Sequence, residues 1–171
     1  MNVRPATPAD VAALASLYND LGVATTASYD IAPVTTSERA AWLAEHARCG
    51  WPVLVADDDG RVVGYAAYGA FRPKAGYRHT VEHSVYVRAA SQGRGVGQAL
   101  LDALIAIARA GGVHAIVGLV DAENAGSVAF HERMGFATVG TLPQVGRKFG
   151  RWLDVTVQVM ILAGKGENDE Q

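Results

Sequence analysis

A mixed α/β fold in a single domain is what this sequence predicts, and three observations support it. Residues 80–88 and 152–162 alternate apolar and polar side chains, as strands with one buried face do. Residues 96–107 place apolar side chains at helical spacing. A glycine-rich segment lies between the first of these strands and the helix. The complete order of elements is predicted to be α-α-β-β-β-α-β-α-β-β.

The first half of the chain is predicted to contain two helices and a hairpin. The run TPAD over residues 7–10 is typical of a helix start, because a hydroxyl N-cap, a proline and an acidic residue suit the free N–H groups there. Thr35 and Glu38 can form a capping box for a second helix that ends near Gly50. Strands are predicted over residues 52–57 and 61–71, around the turn Asp58-Asp59-Gly60.

The second half is predicted to follow a strand–helix–strand pattern. His114–Val120 is almost continuously apolar, which is typical of a buried central strand. Asn124 can cap a short helix that runs through Met134, and residues 136–142 begin the last pair of strands. We predict one domain over residues 1–163, followed by a polar, frayed tail over residues 164–171.

Composition argues against several classes of protein. The 171 residues carry 15 Lys and Arg against 17 Asp and Glu, so no basic surface is expected to hold nucleic acid. No uncharged apolar run approaches the ~20 residues of a membrane helix, so no membrane partner is expected. No apolar stretch follows Arg4, so no signal peptide is predicted. A single cysteine, Cys49, leaves no intramolecular disulfide, and a cytoplasmic location is expected.

The segment Gln92-Gly93-Arg94-Gly95-Val96-Gly97 is suited to phosphate, because glycines let backbone N–H groups approach an anion at a helix N-terminus. A P-loop would need Lys and Ser or Thr directly after the last glycine, and this chain has Gln98-Ala99. A dinucleotide-binding turn would need its third glycine one position later. The defined positions Gln92, Gly95 and Gly97 instead match a Q/R-x-x-G-x-G/A turn.

That turn, followed about thirty residues later by NAGSVAFHERMGF, resembles the two signatures of the GCN5-related N-acetyltransferases (GNAT). The resemblance covers essentially the whole chain. It implies the GNAT fold, with a central mixed, mostly antiparallel sheet flanked by helices and a splayed strand at the acetyl-CoA site. It also implies acetyl-CoA as the co-substrate.

A narrower resemblance rests on the runs TVEHSVYV, SVAFHERMGF and VGRKFGRWLDV. These are similar to the branch that acetylates phosphinothricin and methionine sulfoximine. The branch implies direct transfer of acetyl to the amine of a small amino-acid analogue such as methionine sulfoximine, methionine sulfone or phosphinothricin, and it implies a homodimer. A polyamine, a protein N-terminus or another small amine stays open as the acceptor, and a non-catalytic acyl-CoA sensor is the alternative outside the enzymes.

The resemblance also implies the site residues. Glu82 is the expected base and His131 the expected acid, although a structural role for His131 stays open. The acetyl-CoA contacts are expected from Val85, Tyr86, Val87, Gln92, Gly93, Arg94, Gly95, Val96, Gly97, Gln98 and Asn124. In the first three of these residues, backbone atoms are expected to make the contacts.

The acceptor amine is expected to lie between Glu82 and a loop rich in aromatic and basic residues. Arg72 and Lys74 offer cations for a carboxylate, and Lys148 offers a hydrogen-bond donor. The full set of substrate residues is predicted to be Phe71, Arg72, Pro73, Lys74, Ala75, Tyr77, Glu82, His83, Ser84 and Lys148. No histidine or cysteine spacing suits a metal, so none is predicted.

Overall fold

Strands form one seven-stranded sheet in the computed structural model, which describes residues 1–162. In chain order they are β1 (Asn2–Pro5), β2 (Val53–Asp58), β3 (Arg61–Ala70), β4 (Thr80–Val87), β5 (Ala115–Asp121), β6 (Ala137–Lys148) and β7 (Arg151–Ile161). Across the sheet their order is β1-β2-β3-β4-β5-β7-β6. Within the described residues only β4 and β5 pair in parallel; the other neighbouring pairs are antiparallel. The predicted mixed, mostly antiparallel sheet is therefore confirmed.

Helices cover both faces of this sheet. They are α1 (Val11–Tyr18), α2 (Thr36–Cys49), α3 (Val96–Ala110) and α4 (Ala125–Arg133). Leu54 and Ala56 of β2 pack in the core beneath α3, whereas Val53 and Val55 pack in the core with Leu14 and Leu17 of α1. Because alternate residues of a strand point to opposite faces, these two cores lie on opposite sides of the sheet.

Helix α2 begins as its sequence predicts. Thr35 Oγ1 accepts a hydrogen bond from the Glu38 N–H at 3.1 Å, and Glu38 Oε2 accepts one from the Thr35 N–H at 2.7 Å. The helix ends at Gly50, whose φ of 71° is in the left-handed region that glycine adopts without strain. Helix α1 is shorter than expected. Residues Pro8–Asp10 form a 3₁₀ turn before it, and Asn19–Val23 continue it as a π-helical turn.

Two predictions about strands are wrong. The fold is predicted to start with a helix, but β1 comes first and pairs with β2 along the sheet edge. Four residues are too few to show a periodicity, and tertiary pairing decides their conformation. The strand predicted over 136–142 instead continues to Lys148 as β6, through register shifts after Thr138 and Leu142. The predicted tail over 164–171 lies outside the described residues, so the domain boundary stays a prediction.

The stretch around VGRKFGRWLDV is a hairpin. Phe149 and Gly150 have φ values of 52° and 77°, and Lys148 pairs with Arg151 on either side of them. Two consecutive positive φ values are typical of a type I′ turn, the tight turn that suits the twist of a hairpin. This hairpin brings Lys148 to the base of a loop from the other end of the chain.

Candidate active site

Strands β4 and β5 separate partway along their length. Their parallel pairing spans Thr80–Glu82 against Ala115–Val117, and beyond Glu82 the described residues show no further pairing between them. On its other side, β5 stays paired with β7 from Ala115 to Asp121. The predicted splayed strand is therefore confirmed. The separation leaves an opening in the sheet that is bounded by β4, β5 and α4.

Backbone groups of β4 face this opening. The Arg88 N–H bonds to the Val63 carbonyl of β3 at 2.9 Å, so in an antiparallel ladder every second residue back from Arg88 also faces β3. Val85 and Val87 then direct their amides towards β5, where the opening lies. The amide of Tyr86 faces β3, contrary to our expectation of backbone contacts from that residue. Tyr86 is nevertheless among the residues that line the small cavity in the opening.

The glycine-rich turn lies at the end of β4, just before α3. Gly93 and Gly95 have φ values of 72° and 80°, and a Cβ at either position would meet no atom within 4 Å. Both backbones are therefore accessible to a ligand, and left-handed φ favours glycine there. The Gln92 side chain donates to the Val87 carbonyl at 3.1 Å, which holds the turn against β4.

The helix behind the turn directs free N–H groups towards the same space. Helix α3 has 15 residues, and the N–H groups of its first turn have no partner within the helix. Val96 is buried in the core, so only its backbone faces the turn, while Arg94 and Gln98 are exposed. A Cβ added to Gly97 would lie 3.4 Å from the Phe130 ring. The absence of a side chain there lets α3 and α4 approach closely.

Asn124 closes the opening on the third side. Its Oδ1 accepts from the Ser127 N–H at 3.1 Å and caps α4, as the sequence predicts. With that oxygen committed, the Nδ2 group is left as the donor for a ligand. Asn124 lines a small cavity of about 70 Å³ together with residues of β4 and β5.

A larger cavity of about 480 Å³ adjoins the small one. Residues Thr26–Asp30, from the loop that joins α1 to α2, form one wall, and we call residues 24–35 the cavity loop. Residues from β4 and β5 line both cavities, namely His83, Ser84, Tyr86, Leu119, Val120 and Asp121. The two spaces therefore meet where the strands separate.

Glu82 lines the larger cavity and precedes His83, which lines both cavities. It is the last residue of β4 that pairs with β5, and its side chain is 37% exposed. Burial raises the pKa of the Glu82 carboxyl above its ordinary value, an effect that the positive charge of Arg72 partly opposes. Arg72 Nη1 lies 3.8 Å from Glu82 Oε2. A carboxylate with a raised pKa at a cavity wall is suited to accept a proton.

His83 and His131 form a buried pair in the opening. Their Nε2 atoms are 3.0 Å apart, and the Nδ1 atoms contact the carbonyls of Val117 at 3.0 Å and Ser127 at 2.7 Å. A carbonyl only accepts, so each Nδ1 carries a proton and the contact between the Nε2 atoms needs one more. Burial opposes that proton, because it lowers the pKa of both rings, that of His83 to about 4.

The expectation that His131 acts as the acid therefore meets an obstacle. Both of its ring nitrogens contact protein atoms, and the ring is 4% exposed. His131 is also among the residues that line the small cavity. It could donate a proton to a ligand only after the contact with His83 opens.

Lys148 is not free to bind a substrate. It is 4% exposed, and its ammonium donates to the carbonyls of Gly22 at 3.2 Å, Thr25 at 2.6 Å and Ser28 at 2.6 Å. These three bonds use all three N–H groups of a lysine. Lys148 therefore fastens the cavity loop, and we correct the expectation that it contacts the substrate.

The aromatic and basic loop lies apart from the cavity of this chain. None of Phe71, Arg72, Pro73, Lys74, Ala75 or Tyr77 is among the described residues that line it. Arg72 stacks on the Phe71 ring at 4.3 Å and is about half exposed, and Tyr77 packs edge-on against Phe71. The contact of Arg72 with Glu82 connects this loop to the site.

Sequence reasoning missed the residues that build the other side of the cavity. Tyr29 donates to Asp121 Oδ2 at 3.3 Å, and its ring occupies the space that a side chain at Gly146 would need. Arg39 and Trp42 extend from α2 into the wall. Loop residues and an arginine on a helix carry no periodic signal, so only their shared cavity identifies them.

Other sites of chemistry are not apparent in the described part of the chain. No group of three or more His, Cys, Asp and Glu within residues 1–162 is placed to hold a metal ion. Cys49 ends α2 and does not line the cavities, and burial raises the pKa of its thiol. No helix among these residues is both long and apolar enough to cross a membrane.

Comparisons with known proteins agree with this geometry. The L-methionine sulfoximine/L-methionine sulfone acetyltransferase of Pseudomonas paraeruginosa is 49% identical over 156 residues, which are 91% of each chain. The structure of yncA, an acetyltransferase from Salmonella typhimurium with its cofactor acetyl-CoA, is 43% identical with a TM-score of 0.94. The match covers 99% of this chain and 98% of the yncA chain. The structure of a phosphinothricin acetyltransferase from Sinorhizobium meliloti in complex with AcCoA is 32% identical with a TM-score of 0.92. This match covers 99% of this chain and 91% of the other.

A family model for the acetyltransferase (GNAT) domain matches residues 3–157. That range contains every element that forms the two cavities, from α1 to most of β7. The splayed strand, the glycine-rich turn and the sequence match thus agree, and the chain belongs to the GNAT acetyltransferase family.

Proposed function

We propose that this protein is an N-acetyltransferase that moves the acetyl group of acetyl-CoA to the α-amine of a small amino acid. Methionine sulfoximine, methionine sulfone and phosphinothricin represent the acceptor class. One observation carries the proposal. The small cavity in the opening and the larger cavity share His83 and Ser84, the residues that follow Glu82 in β4, so a thioester and an amine can approach each other near a carboxylate.

The residues of the turn fit acetyl-CoA. Open backbone at Gly93 and Gly95, together with the free N–H groups of α3, suits a pyrophosphate. The exposed guanidinium of Arg94 adds positive charge. The amides of Val85 and Val87 in the opening suit a thin chain that bears amide groups, as pantetheine does, and an N–H there would polarise the thioester carbonyl.

The acceptor class follows from the cavity and from relatives. A volume of about 480 Å³ suits a small molecule and is closed on one side by the fastened cavity loop. One relative at 49% identity is named for methionine sulfoximine and methionine sulfone, and a similar structure for phosphinothricin.

The reaction needs one proton from the ammonium before attack. Glu82 accepts it, directly or through water, and the neutral amine attacks the thioester carbonyl carbon. The C–N bond forms, the C–S bond breaks, and the nitrogen loses its second proton. The departing thiolate takes up one proton to give CoA–SH, so one proton is released overall. Cys49 does not line either cavity, which favours direct transfer over an acetyl-enzyme.

We also propose a homodimer located in the cytoplasm. Strand β6 is the free edge of the sheet and is exposed along most of its 12 residues. Exposed apolar side chains extend from it onto the adjoining hairpin and β7, namely Val139, Leu142, Val145, Phe149, Trp152 and Ile161. A long apolar edge strand can pair with another chain, and a second copy of this chain would cover it.

Thiol release from acetyl-CoA tests the acceptor class. We expect turnover with L-methionine sulfone, L-methionine sulfoximine and phosphinothricin, and acetylated products by mass spectrometry. Spermidine and a peptide with an N-terminal alanine serve as rival acceptors. Turnover on a rival with none on the amino acids would refute the proposed substrate class. Calorimetric binding of CoA without turnover on any acceptor would indicate a sensor.

A further inference from the structure

Arg39 is a buried cation without an anionic partner. It is 4% exposed, and no carboxylate within residues 1–162 makes an ion pair with it. Its Nε atom is buried and has no hydrogen-bond acceptor. Burying an unpaired charge is costly, so such a group in the wall of a cavity indicates that a partner arrives from outside.

Its surroundings hold the guanidinium in place without neutralising it. The guanidinium carbon lies 4.2 Å from the ring centroid of Tyr18 and 4.5 Å from that of Trp42. Aromatic faces attract a cation, but they offer no carboxylate oxygen to its N–H groups. The result is a preorganised fork of donors between two rings.

The acidic groups nearby are engaged elsewhere. Glu38 precedes Arg39 in α2, and its carboxylate accepts from both the N–H and the hydroxyl of Thr35. Asp30 in the cavity loop accepts a hydrogen bond from the Tyr18 hydroxyl. Neither carboxylate therefore supplies the missing anion.

We infer that Arg39 binds the carboxylate of the acceptor amino acid, while the neighbouring ammonium of the same molecule faces Glu82. This inference rests on the proposed function. Arginine suits the task because its planar fork matches the two oxygens of a carboxylate. The sulfone group of methionine sulfone is uncharged, which leaves the carboxylate as the anion of that molecule.

Arg39, Tyr86 and Glu82 line the same cavity. Arg39 belongs to α2, and Glu82 belongs to β4. A zwitterion in this cavity can therefore contact a cation and an anion. Arg72 and Lys74, the cations that the sequence suggests for this role, are exposed and outside the cavity of this chain.

A comparison of two acceptors isolates the carboxylate. L-Methionine sulfone and 3-(methylsulfonyl)propylamine differ in that group alone. We expect the wild-type protein to prefer the amino acid in kcat/KM by at least about 30-fold, because the analogue leaves a buried charge unpaired. Arg39→Met should lower kcat/KM for the amino acid by a similar factor, mainly through KM, and leave the amine within about threefold. Arg39→Lys should give an intermediate preference.

Arg48→Met, an exposed arginine on the same helix, is the matched control and should retain the wild-type preference. A preference that survives Arg39→Met would overturn the inference, and so would equal loss of both substrates in Arg39→Met. If Arg39→Met does not fold, Arg39→Lys decides: an unchanged preference there contradicts a bidentate contact. Absence of turnover on both acceptors in the wild-type protein would instead refute the proposed function.

Discussion

Glu82 lies next to the residues that the two cavities share. It is the last residue of β4 before the strand separates from β5, and it lines the acceptor cavity. Burial raises the pKa of its carboxyl, and Arg72 limits the rise. A higher pKa makes the carboxylate a better proton acceptor, although it reduces the ionised fraction at low pH. The Glu82 carboxyl therefore ionises at a higher pH than that of an ordinary glutamate.

Glu82→Gln should lower kcat by about 10²- to 10⁴-fold and leave CoA affinity unchanged, because an amide accepts no proton. In the wild-type protein kcat/KM should fall as the pH drops through the pKa of Glu82, which lies above the ordinary 4.5. The variant should lose this acidic limb. Stopped assays across pH and CoA calorimetry provide the measurements.

Glu45→Gln, on the exposed face of α2, is the control for this prediction. Near-full activity in Glu82→Gln would show that Glu82 has a structural role and does not act as the base.

The cavity loop acts as an element although it has no regular structure. Lys148 of β6 holds three of the backbone carbonyls in and just before it, and the Tyr29 ring packs against Gly146 of the same strand. The loop and β6 are more than a hundred residues apart in sequence. Because the loop supplies cavity residues from Thr26 to Asp30, its position sets the shape of the acceptor site.

Lys148→Met should loosen this loop by leaving its carbonyls unpaired. We expect the free energy of unfolding to fall by about 2–3 kcal/mol and KM for the acceptor to rise about tenfold. CoA affinity should not change, since the glycine-rich turn lies elsewhere. Denaturant titration and acceptor kinetics measure the two effects. Lys74→Met, at an exposed position, is expected to leave the free energy of unfolding unaltered. Equal stability of the two variants would show that the three bonds contribute little.

At the scale of the whole molecule, the two edges of the sheet differ. Edge strand β1 has four residues and is held by the side chain of Arg4, which bonds to Asp10 and Asp57 at 2.8–2.9 Å. Edge strand β6 has 12 residues, and most of them are exposed. Short edges are protected from further pairing, whereas long apolar ones are not. This asymmetry directs the expected association to the β6 side.

Light scattering at micromolar concentration should therefore give the mass of a dimer. Trp152→Glu should shift the mass towards that of a monomer, because Trp152 is 59% exposed on the β7 side of the hairpin and a charge there would be buried at an interface. Ile31→Glu changes an exposed apolar residue of the cavity loop and should leave the dimer intact. A monomeric wild-type protein with full acetyltransferase activity would contradict the proposal.

Local patterns in the sequence determined much of this molecule. The capping box at Thr35 and Glu38, the alternation of β4 and the glycines at 93 and 95 depend on neighbours within a few residues. Helix caps, strand faces and left-handed φ are properties of such short stretches. For this reason the glycine-rich turn and the cap at Asn124 could be singled out before any fold was known, and the resemblance to a known family added Glu82.

Tertiary structure alone decided which groups meet. Lys148 was expected to contact a substrate, but its ammonium is taken by carbonyls from the start of the chain. His131 was expected to act as the acid, with a structural role left open, and His83 lies 3.0 Å from it in the opening. Arg39 gives no signal on an amphipathic helix, and only the cavity beside it reveals an unpaired charge. Contacts between distant segments depend on how the sheet and its loops pack, and no local pattern encodes that packing.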